Sequence, residues 1–389
     1  MRILHTSDWH LGRSFHRVGL LDAQAAFLDH LVTTVREREV DVVLVAGDVY
    51  DRAVPPLPAV ELFDTALHRL AETGVPTVMI SGNHDSARRL GVGAGLIERA
   101  GIHLRTDPAG VGTPVVLADA HGDVALYGLP YLEPALVREQ FGAAKAGHEA
   151  VLGAAMDRVR ADLAERPATT RSVVLAHAFV AGGEPSDSER DITVGGVSAV
   201  PAGTFEGVDY VALGHLHGSQ RVTPRVRYSG SPLAYSFSEA DHRKTMWLIE
   251  IGADGGIEAE ERVDCPVPRA LARIRGRLDD LLADPALARH EQSWIEATLT
   301  DPVRPAEPMA RLAERFPHTL SLVFAPERTG SDDGASYAQR LRDRSDQQIA
   351  EDFVAHVRGG AGPDGEERTV LLGAFDDVRV DTAGREVAR

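Results

Sequence analysis

Three short apolar runs in the first 85 residues each end on a polar group able to bind a metal, and this pattern narrows the choice of fold sharply. Ile3-Leu4 leads to Asp8. Asp41-Val42-Val43-Leu44-Val45-Ala46 leads through Gly47 to Asp48, and Pro76-Thr77-Val78-Met79-Ile80 leads to Asn83. Apolar runs of this length read as buried parallel strands. Between them, Leu20 to Arg38 carries Leu21, Ala25, Leu28, Val32 and Val35 on one helical face, and Pro58 to Thr73 reads as a second helix. In open α/β sheets ligands bind at the carboxyl edge of the strands. The chemistry is therefore expected along one sheet edge.

From Val173 onward strands dominate: Val173 to Ala176, Tyr210 to Leu213, Arg225 to Ser229, Thr245 to Ile251 and Gly256 to Val263. His177, His215 and His217 stand at the ends of two of these. The expectation is two sheets packed face to face, helices outside, with metals at one rim. At Cys265-Pro266-Val267-Pro268 the pattern breaks. Arg269 to Leu282 reads as an amphipathic helix, Trp294 to Leu299 as a strand, Met309 to Arg315 as a helix and Thr319 to Phe324 as a strand. This makes a second domain of about sixty residues, near the lower size for independent stability.

Residues 1–265, 266–327 and 328–389 are thus expected to be the site-bearing domain, a small α/β addition, and a linker with helices and tail. Within the last region Arg328 to Gly334 is a polar linker, Tyr337 to Val357 is helical and Gly359 to Glu367 is expected to be disordered. Val370, Leu371, Leu372 and Phe375 form a last apolar patch. Tyr337, Leu341, Ile349, Phe353 and Val357 form apolar stripes, with Arg340, Arg342, Arg344 and Asp346 between or opposite them. Such stripes either pack on the body of the protein or dock on a partner.

Composition excludes several classes. Hydrophobic residues make up 43% and charged residues 25%, as in an ordinary globular protein. No apolar run approaches membrane-spanning length, and the start lacks the basic and apolar regions of a signal peptide. The single cysteine, Cys265, rules out an internal disulfide framework. A soluble cytoplasmic protein is expected. The net charge of −17, from 41 basic and 58 acidic residues, opposes approach to nucleic acid at long range. Bound cations would reverse that field locally. Arg13, His16, Arg17, Arg88 and Arg89 flank the first and third motifs, and Arg13 and Arg89 are candidates for phosphate contact against the alternative of solvated surface.

Five segments, in order, carry the chemistry: Asp8-Trp9-His10, Gly47 to Asp51, Gly82-Asn83-His84-Asp85, His177, and Gly214-His215-Leu216-His217. Each is weak alone; the ordered set is specific. Carboxylate, imidazole and carboxamide donors suit hard or borderline divalent metals such as manganese. In Asp8-x-His10 and His215-x-His217, residues two apart leave the same side of an extended segment. Asp48, on a central strand and with two oxygens, is the natural carboxylate to bridge a metal pair. His84 is the imidazole best placed to protonate a leaving alkoxide. Asp51 either supports that imidazole or caps the helix that follows.

These motifs resemble those of calcineurin-like metallophosphoesterases, and more closely the nuclease subunits of bacterial SbcCD-type complexes. The likeness rests on Leu4 to Gly12, Ser81 to Asp85, Ser186 to Arg190, Ala212 to His217 and Tyr228 to Leu233, covering about the first 240 residues. It implies a four-layer α/β/β/α sandwich with a small α/β cap domain that positions DNA and C-terminal helices that bind the ATPase. It implies two divalent metal ions, Mn²⁺ with Mg²⁺ as the alternative. Asp8, His10, Asp48 and His217 would hold one, and Asp48, Asn83, His177 and His215 the other, with His84 catalytic. It further implies DNA as substrate, cut as single strands without ATP. With an SbcC-like SMC-family ATPase it implies attack on duplex ends and hairpins, by a homodimer within a heterotetramer in the nucleoid. Helices between Pro58 and Arg99 are candidates for the dimer contact. Gly47 to Arg52 also resembles serine/threonine phosphatases, which carry Glu in place of Asp85. A small-molecule phosphodiesterase or protein phosphatase, and a non-catalytic scaffold, are the competing readings. The complete ligand set argues against the scaffold.

Overall fold

Val42–Ala46 is buried at every residue, and the alternation of its side chains shows why. Val43 and Val45 pack against helices, while Val42 and Leu44 face a second sheet. A strand covered on both faces needs the continuous apolar run the sequence provides. The computed structural model describes residues 1–192, 199–327, 344–358 and 360–386, with side chains followed as far as Phe375.

The chain begins with β1 (Arg2–Thr6), a small hairpin of β2 (Ser14–Phe15) and β3 (Val18–Gly19), α1 (Leu21–Glu37), β4 (Val42–Ala46), α2 (Leu57–Thr73), β5 (Thr77–Ile80), the short helix α3 (Ala87–Leu90) and β6 (Ile102–Arg105). The second sheet follows as β7 (Val115–Asp119), β8 (Gly122–Leu129), β9 (Arg171–His177), β10 (Tyr210–Gly214), β11 (Gln220–Arg221) and β12 (Val226–Tyr228), and then β13 (Thr245–Ile251) and β14 (Ile257–Asp264) return to the first. The first sheet runs β14-β13-β1-β4-β5-β6 and the second β11-β12-β10-β9-β8-β7. Their interiors are parallel. Antiparallel strands close the edge at β13–β14 and both edges of the second sheet.

The two sheets pack through Ile3, Leu44, Ile80, Leu126, Leu175 and Tyr210. Helix α1 covers the outer face of the first sheet with Phe27, Leu28, Leu31, Val32 and Val35. The helix His148–Ala164 covers the second with Val151, Ala155, Met156 and Val159. This is the expected α/β/β/α layering. The buried stripe of α1 is rotated from the expected one: Leu21 and Ala25 are only partly buried, whereas Gln24 lies fully inside.

Past Cys265 the expected helix over Arg269 to Leu282 is a strand followed by a short helix, β15 (Leu271–Gly276) and α4 (Leu278–Ala283). Ala272 and Ile274 point inward and Arg273 and Arg275 outward, so the period is two and not 3.6. β15 pairs in parallel with β16 (Trp294–Leu299), which pairs with β17 (Thr319–Phe324). Leu278, Leu281, Leu312 and Phe316 cover this small sheet. It meets the larger body through Leu271, Trp294 and Leu320, packed on Phe15, Leu20, Leu233, Tyr235 and Phe237.

Residues up to Pro326 form one compact unit and Glu327–Arg389 a second. In the second unit, helix Asp346–Val357 begins with a capping box of Ser345 and Gln348. Disorder expected over Gly359 to Glu367 gives way in part to a helix, Gly365–Glu386. Asp364 starts it by accepting from the backbone N–H groups of Glu366 and Glu367 at 3.0 and 2.9 Å. Arg358 adds a paired contact to Glu367. The linker Arg328 to Gly334, with Tyr337, Arg340, Leu341 and Arg342, lies outside the described residues.

Leu175 sits fully buried between the two sheets, where helices on both outer faces limit collapse. Leu175→Ala is expected to cost about 2–5 kcal/mol of unfolding free energy. Urea denaturation followed by circular dichroism measures it.

Candidate metal centre

Both sheets end at the same rim because their parallel strands point the same way there. Asp8 and His10 follow β1, Asp48 follows β4, Asn83 and His84 follow β5, His177 closes β9, and His215 and His217 follow β10. The turns that carry them are strained. Asp8, His10, Asp48 and His215 hold φ angles of 53°, 45°, 48° and 109°, a region that L side chains rarely adopt. Such strain persists only where the surroundings enforce it, and it clusters at functional sites. Gly47 and Gly82 leave necessary space: a Cβ at Gly47 would strike the His177 ring, and one at Gly82 would strike the Asp48 carboxylate.

The side chains form two half-sites joined at Asp48. In one, His10 Nε2 lies 3.1 Å from His217 Nε2. In the other, Asn83 Oδ1 lies 2.8 Å from His177 Nε2 and 3.2 Å from His215 Nδ1. Asp48 Oδ2 stands between them, 3.6 Å from His10 Nε2 and 3.5 Å from His177 Nε2. Asp8, His10 and His217 bring potential ligand atoms within 4.8 Å of one another, as do Asp8, Asp48 and His177, and His10, Asp48 and His84. Asp8, His10, Asp48, His177, His215 and His217 are all buried.

The donor set fits divalent cations. His177 donates Nδ1–H to the Ala46 carbonyl at 2.9 Å, so Nε2 is the nitrogen that gives up its proton and offers a lone pair when the ring is neutral. Nε2 faces the carboxamide oxygen of Asn83 at 2.8 Å, a position that a proton or a metal cation between them satisfies. Asn83 Nδ2 and His10 Nδ1 are buried without hydrogen-bond partners, while Asn83 Oδ1 and His10 Nε2 face the other histidines of the cluster. Protonation follows the same imbalance. Burial pushes Asp8 up to about 6, and burial with the charge of His177 holds His215 down to about 3. For the Asp48–His177 pair burial opposes both charges, yet mutual attraction wins: Asp48 falls well below the carboxylate range and His177 rises to about 9. Cations favour the deprotonated carboxylates and neutral imidazoles throughout.

His84 is half-buried at the mouth, its ring edge-on to His10 with centroids 4.7 Å apart. Its Nδ1 donates to the backbone carbonyl of Asp51 at 2.8 Å. The sequence leaves the Asp51 side chain either that support or a capping role. The carboxylate instead points to His10 Nδ1 and Arg13 NH1, each at 3.6 Å, and the following helix is entered through Pro56, so Asp51 does not cap it. Arg13 also donates to the Ser188 carbonyl at 3.0 Å and stacks on Tyr235. Arg89, on α3, donates to the Ala53 carbonyl at 2.9 Å.

Two positioning groups carried no role in the sequence reading. Gln24 donates to the His10 carbonyl at 2.7 Å and accepts from Gly12 N–H at 3.0 Å, fixing the loop behind His10. Asp85 accepts from the N–H groups of Val49, Tyr50 and Gly82 at 3.1, 2.8 and 2.9 Å. It ties the second motif to the third, and burial, with Asp48 nearby, pushes it up to about 7. The signal for Asp85 was its place directly after Asn83-His84; Gln24 looked like an ordinary helix residue.

A family model described as calcineurin-like phosphoesterase matches residues 1–219, more than half of the chain. The chain belongs to this family. It is accordingly a metal-dependent hydrolase, and the family uses dimetal centres. A second model, the SbcD C-terminal domain (described as type 5 capsule protein repressor C-terminal domain), matches residues 267–358. The two matches together support an SbcD-like nuclease subunit. Among solved structures, the chain is similar to TT1561 of Thermus thermophilus at 13% identity and TM-score 0.40, covering 68% of this chain and 98% of that one. GAP50, the anchor in the inner membrane complex of Plasmodium, gives 10%, 0.39, 84% and 98% in the same order. A dimetal phosphatase from Danio rerio gives 13%, 0.33, 59% and 86%. No helix among the described residues is long and apolar enough to cross a membrane.

Asp48 touches both half-sites, so Asp48→Ala is expected to weaken binding of two equivalents of Mn²⁺ together. Calorimetric titration checks this; loss of one equivalent with the other intact would refute the shared role.

Proposed function

We propose that this protein is a DNA nuclease that hydrolyses phosphodiester bonds with two metals, Mn²⁺ in preference to Mg²⁺. It acts alone as a single-strand endonuclease. With an SbcC-like SMC-family ATPase it acts as an ATP-dependent exonuclease on duplex ends and opens hairpins, in the replication, recombination and repair of nucleoid DNA. The observation that carries this reading is the Asp48 carboxylate between two half-sites whose imidazole Nε2 atoms turn inward.

In this reading Asp8, His10, Asp48 and His217 hold one metal, and Asp48, Asn83, His177 and His215 the other. The metal pair supplies charge neutralisation and polarises the non-bridging phosphate oxygens. His84 holds the proton that the leaving alkoxide needs. Its Nδ1–H is committed to the Asp51 carbonyl, which leaves Nε2 for transfer. Asp51 acts through that carbonyl on His84 and through its carboxylate on His10 and Arg13. Arg13 and Arg89 contact DNA phosphate, Arg89 being the more accessible.

The division into a nuclease domain (1–265), a DNA-positioning cap (266–327) and a C-terminal ATPase-binding region (328–389) completes the proposal, with a homodimer inside a heterotetramer. A small-substrate phosphatase has no need for the added sheet beside the loop after His10, and that sheet favours a polymeric substrate. Plasmid, hairpin and single-stranded DNA, with a chromogenic phosphodiester beside them, should be incubated in Mn²⁺, Mg²⁺ and EDTA. Mn²⁺-dependent cleavage of DNA is expected. Hydrolysis of the small ester with all DNA left intact would establish the phosphodiesterase or phosphatase alternative.

Two variants refine the assignment. His84→Gln is expected to keep both metals and lose roughly 10²–10⁴-fold in cleavage rate, the usual worth of a general acid; loss of metal would make His84 a ligand. Truncation after Glu327 is expected to preserve cleavage of single-stranded DNA and abolish co-purification with the ATPase.

A further inference from the structure

His217 is held by a buried chain of polar groups that no metal-binding role requires by itself. Ser188 Oγ lies 2.6 Å from His217 Nδ1 and 2.6 Å from Glu239 Oε1. Glu239 Oε2 pairs with Lys244 Nζ, which also donates to the His217 carbonyl and to Ser231 Oγ, both at 3.0 Å. Glu239 Oε1 accepts Tyr235 N–H at 3.0 Å, and Glu189 Oε1 accepts His217 N–H at 2.7 Å. Glu239 and Lys244 are 1% and 6% exposed, so this ion pair has left water almost completely. A buried ion pair is weak evidence for stability, since desolvation offsets the attraction. Its geometry points to a different use.

We infer that the Ser188–Glu239–Lys244 chain is a positioning device that fixes His217 as its Nδ1–H tautomer and turns its Nε2 lone pair toward the half-site shared with His10. This rests on the two-metal reading above. The proton count is short. Glu239, paired with Lys244, is an acceptor only. Ser188 has one hydroxyl hydrogen, and the Glu239 carboxylate takes it, so in the contact with Ser186 Oγ at 2.8 Å Ser186 is the donor. Ser188 Oγ then has lone pairs alone to offer His217, so the ring must donate from Nδ1. In the neutral ring this leaves Nε2, 3.1 Å from His10 Nε2, as the nitrogen with the lone pair. Hydrogen bonds of this outer kind fix the tautomer and orientation of a ligating histidine. Ser188 and Glu239 are 29 residues before and 22 after His217, so two segments distant in sequence meet behind one ring.

The test uses the full chain. In the metal-free protein, ¹⁵N resonances of the His217 ring should report a protonated Nδ1 and a bare Nε2. Ser188→Ala should lower Mn²⁺ affinity at one of the two sites by roughly 10–100-fold, the usual cost of losing such a partner, and leave the other unchanged. Ser188→Thr, which keeps the hydroxyl, should restore it. A protonated Nε2 in the wild type, or Ser188→Ala with both affinities at wild-type values, overturns the inference. So does an equal weakening of both sites with a lower melting temperature, which marks a structural role only. The ring measurement needs no metal, so it separates failure of this chain from failure of the two-metal reading, which wild-type protein taking up fewer than two equivalents would show.

Discussion

The hydrogen bond from His177 Nδ1 to the Ala46 carbonyl joins the carboxyl end of β4 in one sheet to that of β9 in the other. Ala46 is the last residue before Gly47 and Asp48, so this bond sets how closely the second motif approaches the fourth. A Cβ at Gly214 would collide with the same carbonyl, which makes the approach of β10 to β4 equally tight. Two sheets packed through their apolar faces would otherwise be free to slide by a fraction of an ångström. Here backbone and imidazole lock them at the rim, and the half-sites on either side of Asp48 keep their spacing. The site is a consequence of how the sheets pack.

What could be seen in the sequence follows from this. Buried parallel strands need continuous apolar runs, and three such runs announced both the sheet and its polar edge. His177 at the end of β9 and the histidines after β10 are legible for the same reason. The side of a helix or the identity of a hydrogen-bonding atom was less legible. Gln24 sits in an apolar stripe, and only the three-dimensional path of the loop after His10 explains a buried amide there. Asp51 was expected to act through its carboxylate, yet its carbonyl meets His84, because backbone direction at a tight turn leaves no trace in residue type. The strand Leu271–Gly276 was read as a helix since Leu271, Ile274, Leu278 and Leu281 also fit a helical spacing. Pairing with Trp294–Leu299 decided between the two periods.

For an acidic chain to act on a polyanion, as proposed, its charge must be distributed unevenly. Asp8, Asp48 and Glu239 are buried, where they face imidazoles or Lys244 and do not project a field into solvent. At the mouth the groups are cationic: Arg52 lies beside Asp51, Arg89 rests against Ala53, and Arg190 donates to the Asn83 carbonyl at 3.3 Å. Salt screens exposed charges beyond about 8–10 Å, so the global charge of −17 matters less at the mouth of the site than these neighbours do. Net charge therefore bears on the rate of encounter more than on what happens in the site.

Tyr235 shows how the added sheet reaches the chemistry. Its ring packs edge-on against both His10 and His217, with centroids 5.2 and 5.5 Å away, and carries the Arg13 guanidinium on its face at 4.7 Å. Its hydroxyl donates to the Trp9 carbonyl at 2.6 Å, between the two residues of the first motif. The same residue belongs to the apolar cluster on which Leu271, Trp294 and Leu320 of the small sheet rest. One rigid aromatic side chain thus contacts two candidate ligands and the platform of the added sheet. Close packing transmits displacement, because interiors have few voids to absorb it. The platform of Phe15, Tyr235 and Phe237 on which the small sheet rests is therefore in direct contact, through the Tyr235 ring, with the histidines of the first half-site.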